Sequence, residues 1–216
     1  MESEIIIRKF NLRDRQELRI ISCATAFMGQ PSNIFFDGED IFADFLTLYF
    51  TDYEPESCFV AERRGHLVGY LIGTKNAGIL AKTFIKNIVP RLFIEAICSA
   101  TFLKKKNLRF IFYCFLSFLK KEFKQPDFSQ QYPAVLHINL TEGARGSGIG
   151  SRLINVFLGY LQQRKISGVH LATVSDHASI FFQKQGFKLL YRAQRSYFSY
   201  ILQKKIPLYI YGRKLS

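Results

Sequence analysis

The chain has 216 residues, 48% of them hydrophobic, and carries 30 lysines and arginines against 17 acids, for a formal charge of +13. That length fits one domain with a sizeable core and an embellishment, and two full domains would be cramped. The charge points to an anionic partner (nucleic acid, an acidic membrane surface or a polyphosphate cofactor) or to a solvated basic surface.

A first strand is expected over residues 5–10. Asp14 then reads as the cap of a helix with Leu18, Ile21 and Ala24 on its apolar face, and the Gln30-Pro31 step breaks that pattern. Residues 40–50 predict a second helix with Ile41, Phe45, Leu48 and Tyr49 inward. The apolar runs 57–62 and 67–73, joined by Arg63-Arg-Gly-His66, predict an antiparallel hairpin.

Over residues 76–125 the composition shifts to ten basic side chains against two acids, with many phenylalanines. Helices are expected over 79–101 and 108–123, parted by Lys104-Lys-Lys-Asn107 and kinked near Pro90. The run 110–119 is apolar all round, so it needs burial or a greasy contact. This insertion therefore reads as a lid over a substrate pocket, a docking surface for an anionic membrane, or extra core. A nucleic-acid surface is disfavoured, because the aromatics do not interleave with the basic residues. Regular alternation resumes with a strand over 134–140, a glycine turn, a helix over 147–164, a strand over 169–174 and a short helix over 178–185. Two last strands are expected over 198–202 and 208–214.

Cys23, Cys58, Cys98 and Cys114 have no C-x-x-C spacing and read as reduced, mostly buried thiols. His66, His137, His170 and His177 are scattered, so no metal site is expected. The first residues mix acids with a short apolar run, unlike a signal peptide, and no stretch is long enough to span a bilayer. A cytoplasmic protein follows, with the insertion leaving room for a peripheral place at a membrane.

The turn holding Gly143, Gly146, Gly148 and Gly150 joins a strand to a helix start, which presents unpaired backbone N–H groups to a phosphate. A P-loop needs Lys-Ser/Thr after its last glycine, and Ile149 follows Gly148. A dinucleotide fold needs more chain than the 66 residues left after Gly150.

Arg145-Gly-Ser-Gly148-Ile-Gly150 resembles the Arg/Gln-x-x-Gly-x-Gly/Ala motif of the GNAT-type N-acetyltransferases. Ala178-Ser-Ile-Phe-Phe-Gln-Lys-Gln-Gly-Phe187 resembles that family's Asn-x-x-Ala-x-x-Phe-Tyr-x-Lys-x-Gly-Phe block, and Tyr211-Gly-Arg-Lys-Leu215 its closing strand. The resemblance is loose over 5–75 and close over 134–215. It implies a single α/β (α+β) domain, with a mixed, mostly antiparallel sheet flanked by helices and 76–125 as a helical insertion. It further implies acetyl-CoA as cofactor and an amine as acceptor, attacked directly. Arg145, Gly146, Ser147, Gly148, Ile149 and Gly150 would hold the pyrophosphate through their N–H groups, with Ser151 nearby. Ile138, Asn139 and Leu140 would pair with the pantetheine arm, and Ser175, Phe181 and Phe182 would line the opposite wall.

Two departures stand out. The family's frequent general acid, a tyrosine, is Phe182 here, and the asparagine opening the same block is Ser175. Ser175, Tyr191 and Tyr197 are the substitutes in sequence reach, and the thiolate can also leave unassisted. The strand positions that hold a base in some relatives fall on Ala134 and Leu136, which cannot accept a proton. His137 is the remaining candidate, although alternation points it to the other face. Asp44, Asp52 and Glu54 read either as shapers of an amine pocket or as surface acids. The alternatives to an acetyltransferase are a catalytically degenerate acetyl-CoA-binding module and a membrane-surface adaptor working through the insertion.

Overall fold

Residues 4–215 are described in a computed structural model. Strands β1 (Ile5–Lys9), β2 (Phe59–Arg63), β3 (His66–Thr74) and β4 (Ala134–Leu140) run antiparallel to one another, and β5 (Gly168–Thr173) joins β4 in parallel. Beyond β5 the sheet closes with β6 (Lys188–Arg195) and β7 (Ile206–Lys214), β7 lying between β5 and β6. The sheet is thus mixed and mostly antiparallel, in the order β1-β2-β3-β4-β5-β7-β6.

Helices α1 (Arg15–Thr25) and α2 (Glu39–Leu48) cover one face. The buried side of α1 is Leu18, Ile21, Ser22 and Thr25, spaced i, i+3, i+4 and i+7, with Cys23 buried beside them, while the expected Ala24 is exposed. Ser22 and Thr25 satisfy their hydroxyls on the carbonyls of Arg19 and Ile21, which lets polar residues fill an inward face. Asp14 is not the side-chain cap. Asn11 caps the preceding 3₁₀ turn, and the Asp14 carboxylate accepts the Asn11 N–H at 2.8 Å while pairing with Arg8.

Between β3 and β4 come α3 (Ala77–Thr83), α4 (Val89–Cys98) and α5 (Lys105–Leu119). A π turn over Phe84–Ile88 joins α3 to α4, and Pro90 sits in the first turn of α4, where its missing N–H costs nothing. The break before α5 is the 3₁₀ turn Thr101–Leu103, so the lysines expected to part the helices begin α5 instead. Asn107 holds α5 to the rest of the domain. It accepts the Asp37 N–H at 2.7 Å and donates to the carbonyls of Asp37 and Thr101.

On the opposite face, α6 (Ile149–Gln163) lays Ile149, Leu153, Ile154, Phe157 and Leu161 against Phe59, Leu71, Leu136 and Val169. That contact is the main core. Helix α7 (Asp176–Lys184) packs beside it. The expected strand over 198–202 is the short helix α8 (Ser199–Leu202). Phe198 ahead of it sits among Phe27, Phe35 and Phe110, so the apolar run there feeds a cluster rather than a ladder. The strand before β7 is the charged stretch 188–195. An outermost strand tolerates such a sequence, having one free edge.

Candidate active site

β4 and β5 pair only at Ala134–Val169 and Val135–His170, then separate. Beyond that point β4 stays on β3 through Leu140, and β5 stays on β7 through Thr173, so each turns one unpaired edge into the opening. The Thr141 N–H donates to the Val68 carbonyl at 3.0 Å. Alternation along an antiparallel ladder then directs the backbone of residues 135, 137 and 139 to β3, and that of Leu136, Ile138 and Leu140 into the opening. Of the three residues expected along the pantetheine arm, Ile138 and Leu140 turn their backbone groups into the opening. The Asn139 backbone does not, because it faces Tyr70 on β3.

The glycine turn sits at the end of this edge. Gly146 and Gly148 have φ of +76° and +79°, the left-handed region that side chains disfavour, and the space around both is open. Arg152 N–H, donating to the Gly148 carbonyl, is the first amide of α6 with a partner. Among the described residues, the N–H groups of Gly146, Ser147, Gly148, Ile149, Gly150 and Ser151 have none, and the positive end of the helix dipole backs them. Arg145 differs from its expected role, since its N–H already donates to Glu142. Its guanidinium turns back to the carbonyls of Leu140 (3.3 Å) and Gly29 (3.4 Å), which ties the turn to the chain after α1. The Ser147 hydroxyl donates to Ala144, and the Ser151 hydroxyl accepts from Gln185. Gly150 leaves room for the Phe181 ring against α6.

A cavity of about 480 Å³ lies on the α1–α2 side of the sheet. Val135, Leu136 and His137 of β4 and Ala172 of β5 form its floor, at the opening. Phe45, Tyr49 and Phe50 form one wall, and Leu80, Phe84 and Ile85 of the insertion form the other. Both ends of this apolar space are held by helical irregularities, since a second π turn covers Tyr49–Tyr53. Phe45 is half exposed and faces Phe84 edge-on at 5.2 Å, rather than lying in the core as its spacing predicts.

His137 is the polar group on the floor. Burial pushes its pKa down to about 4, so the ring is neutral at pH 7. Its Nε2 lies 3.2 Å from the Asn139 side-chain amide, which also donates to the Tyr70 hydroxyl at 3.0 Å. An amide that serves both leaves the ring proton on Nδ1.

Asp52 is a surface acid, while Asp44 and Glu54 are buried, which fits neither sequence reading. Asp44 is buried against Arg19, and Asp52 pairs with Arg15 at 3.0 Å, so neither offers its charge to the cavity. Glu54 is buried behind the wall. It accepts from the hydroxyls of Tyr49 (3.0 Å), Thr74 (2.6 Å) and Ser57 (2.7 Å) and from the Lys75 N–H (2.9 Å). Nothing in the sequence around Glu54 marks it as this hub, since its partners come from four separate positions.

Solved structures share this architecture at low sequence identity. SsHAT superposes with a TM-score of 0.70 at 21% identity, over 99% of both chains. The polyamine N-acetyltransferase of Drosophila melanogaster, which forms N-acetylagmatine, gives 0.64 at 14% identity, over 98% of this chain and 100% of that one. A GNAT-superfamily phosphinothricin acetyltransferase from Sinorhizobium meliloti, solved with acetyl-CoA, gives 0.57 at 15% identity, over 98% and 89%.

The chain has the GNAT-type fold. No family model matches the sequence, and no curated protein does either.

Within this GNAT-type fold the 175–187 block forms α7 and the turn after it. Ser175 is the cap of α7, its hydroxyl accepting the Ala178 N–H at 3.3 Å. Phe182 is buried among Phe181, Phe187 and Tyr211. Tyr211, which the sequence reading left unassigned, receives Gln183 at 2.7 Å and shares a 2.6 Å hydrogen bond with Ser179. Tyr191 lies on the outermost strand β6, separated from the β4–β5 opening by β5 and β7, and is not brought to it. Tyr197 stacks on Phe123 and packs on the aromatic cluster of Phe27, Phe35 and Phe198, with its pKa pushed up to about 12 by burial.

Proposed function

We propose that this chain transfers an acetyl group from acetyl-CoA to the amine of an acceptor with an apolar body. One observation carries the reading. The N–H groups before Arg152 and the unpaired edge of β4 meet at one end of the β4–β5 opening, and the apolar cavity lies against the same opening from the other face of the sheet.

The residues fit the cofactor. Unpartnered N–H groups from Gly146 to Ser151, with open space around Gly146 and Gly148, suit a pyrophosphate, and the backbone of Ile138 and Leu140 suits the amide groups of a pantetheine arm laid along the strand. Bound acetyl-CoA supplies an acyl carbon open to attack by a neutral amine.

The cavity walls provide that neutrality. An ammonium moved from water to a lining of Phe45, Phe50, Leu80 and Phe84 loses solvation, which lowers its pKa and favours release of its proton. His137, neutral and half-buried, is the floor's polar group and sets no competing positive charge against the amine. N–H groups on the opening edge of β4 stand ready to stabilise negative charge developing on the carbonyl oxygen. With Asp44 and Asp52 committed to arginines, a polycation finds no free carboxylate in the cavity, so alkyl and arylalkyl amines are the expected acceptors.

The test is titration calorimetry with acetyl-CoA beside a thiol-release assay on two panels, apolar monoamines and polyamines. Micromolar binding and release with the apolar panel is expected. Tight binding with no release on either panel would replace the enzyme by a binding module, and preference for polyamines would overturn the acceptor class.

A further inference from the structure

The insertion turns a second apolar surface outward. Along α5, Leu108, Ile111, Phe112, Phe115, Phe118 and Leu119 are all exposed, and their spacing puts them on one side of the helix. The inner side is occupied: Asn107 is hydrogen-bonded, Phe110 packs on Phe35 and Phe198, and Ser117 meets Ser196. On α4, Leu92 is buried, while Val89, Phe93, Ile94 and Ile97 face outward, Phe93 with 66% of its surface exposed. Single exposed apolar residues are ordinary on a protein surface, but two helices with a whole outward stripe each are not.

Cations border this surface. Lys104 and Lys105 stand at the start of α5, Lys120, Lys121 and Lys124 at its end, and Lys86 and Arg91 flank the start of α4. All seven are exposed and form no ion pair among the described residues. By contrast, Lys106 is held by Asp37 at 2.6 Å, and Arg109 lies over the Tyr200 ring. Positive charge in the first turn of a helix opposes its dipole, and α5 has no acid there. Those lysines weaken the helix, so helix stability does not account for them.

We propose that the outward face of α4 and α5 docks on an anionic bilayer surface, with the apolar stripes in the interface and the lysines at the headgroups. Large apolar side chains edged by lysines are the pattern of interfacial helices. No helix of the described chain is long and apolar enough to cross a membrane, which leaves attachment in the plane of the surface. A second copy of the chain fits poorly, because a self-pairing face sets its own lysines against each other. The cavity over β4 and the cleft between α1 and α2 are lined by no residue of α4 or α5.

The test floats the whole protein with vesicles of phosphatidylcholine alone and with about 30 mol% phosphatidylserine. Binding to the second set only, weakened about 100-fold or more by the combined changes Lys104→Glu, Lys105→Glu, Lys120→Glu and Lys121→Glu, is expected. The triple change Phe112→Ser, Phe115→Ser, Phe118→Ser is expected to abolish flotation at moderate salt while leaving acetyl-CoA affinity unchanged. Flotation indifferent to that triple change would mean adsorption of a basic protein through charge alone, and would overturn the docking face. Absence of flotation with both vesicle sets overturns it as well. A concentration-dependent dimer that the serine changes dissolve, seen without flotation, assigns the face to a second copy instead.

Discussion

Tyr49 donates its hydroxyl hydrogen to Glu54 across 3.0 Å, joining the wall of the apolar cavity to a buried carboxylate. That carboxylate gathers the start of the Tyr49–Tyr53 turn through Tyr49, the approach to β2 through Ser57 and the end of β3 through Thr74. Removing it takes away the acceptor the four donors share: Ser57 can turn to Tyr160, Thr74 to the Asn76 carbonyl and Tyr49 to Thr74, and the Lys75 N–H is left unpaired. Glu54→Ala is expected to cost about 1–3 kcal/mol in urea unfolding. Glu54→Gln, which keeps one acceptor oxygen, is expected to cost less.

Gly148 separates two effects at the glycine turn. Gly148→Ala meets open space and pays only for the left-handed backbone, about 1–2 kcal/mol in thermal or urea unfolding. Gly148→Asp adds a negative charge where the pyrophosphate is proposed to lie. Calorimetry is expected to show at least a tenfold loss of acetyl-CoA affinity beyond that of the alanine variant. Equal affinities in two folded variants would falsify the pyrophosphate assignment.

His137 makes stability depend on pH in a defined window. Its pKa falls from the ordinary 6.5 to about 4 in the folded chain. Between those values the unfolded chain takes up a proton that the folded chain does not, so stability declines as pH falls from 6.5 to 4 and levels off below. The half-buried ring limits the loss to no more than about 3 kcal/mol. Urea midpoints measured across this range are expected to flatten in His137→Gln. An unchanged slope assigns the effect to other groups.

Phe182 leaves α7 without a hydroxyl at the position where the family places its acid. Phe182→Tyr is expected to raise single-turnover acetyl transfer by about tenfold or more, the scale of a positioned acid. A stable variant with an unchanged rate would show that the thiolate departs without help from α7.

The first five strands and the glycine turn were legible because both rest on local patterns: period-two alternation in β2, β3 and β4, and glycines ahead of a helical stripe. Where partners come from far along the chain, the pattern misled. Asp44 is inside α2 because Arg19 pairs with it from α1, and Phe45 is displaced toward Phe84 of the insertion. β6 escaped notice because an edge strand need not be apolar, and residues 198–202 resembled a strand because an aromatic cluster demands the same residue types. At the site, residues 138–140 were marked as a block, yet only the ladder phase fixed by Thr141 and Val68 shows that Ile138 and Leu140 face the opening while Asn139 serves His137 and Tyr70.

The cavity is bounded on two sides by π turns, Tyr49–Tyr53 and Phe84–Ile88. Such a turn closes its hydrogen bond one residue later than an α-helix does. Deleting one residue from either turn restores the ordinary helix and swings the side chains beyond it by about 100°. The bore of the cavity is therefore set by chain length as well as side-chain size. Descent with single-residue insertions and deletions can retune which acceptor enters, while the strands and the glycine turn that hold the cofactor stay as they are.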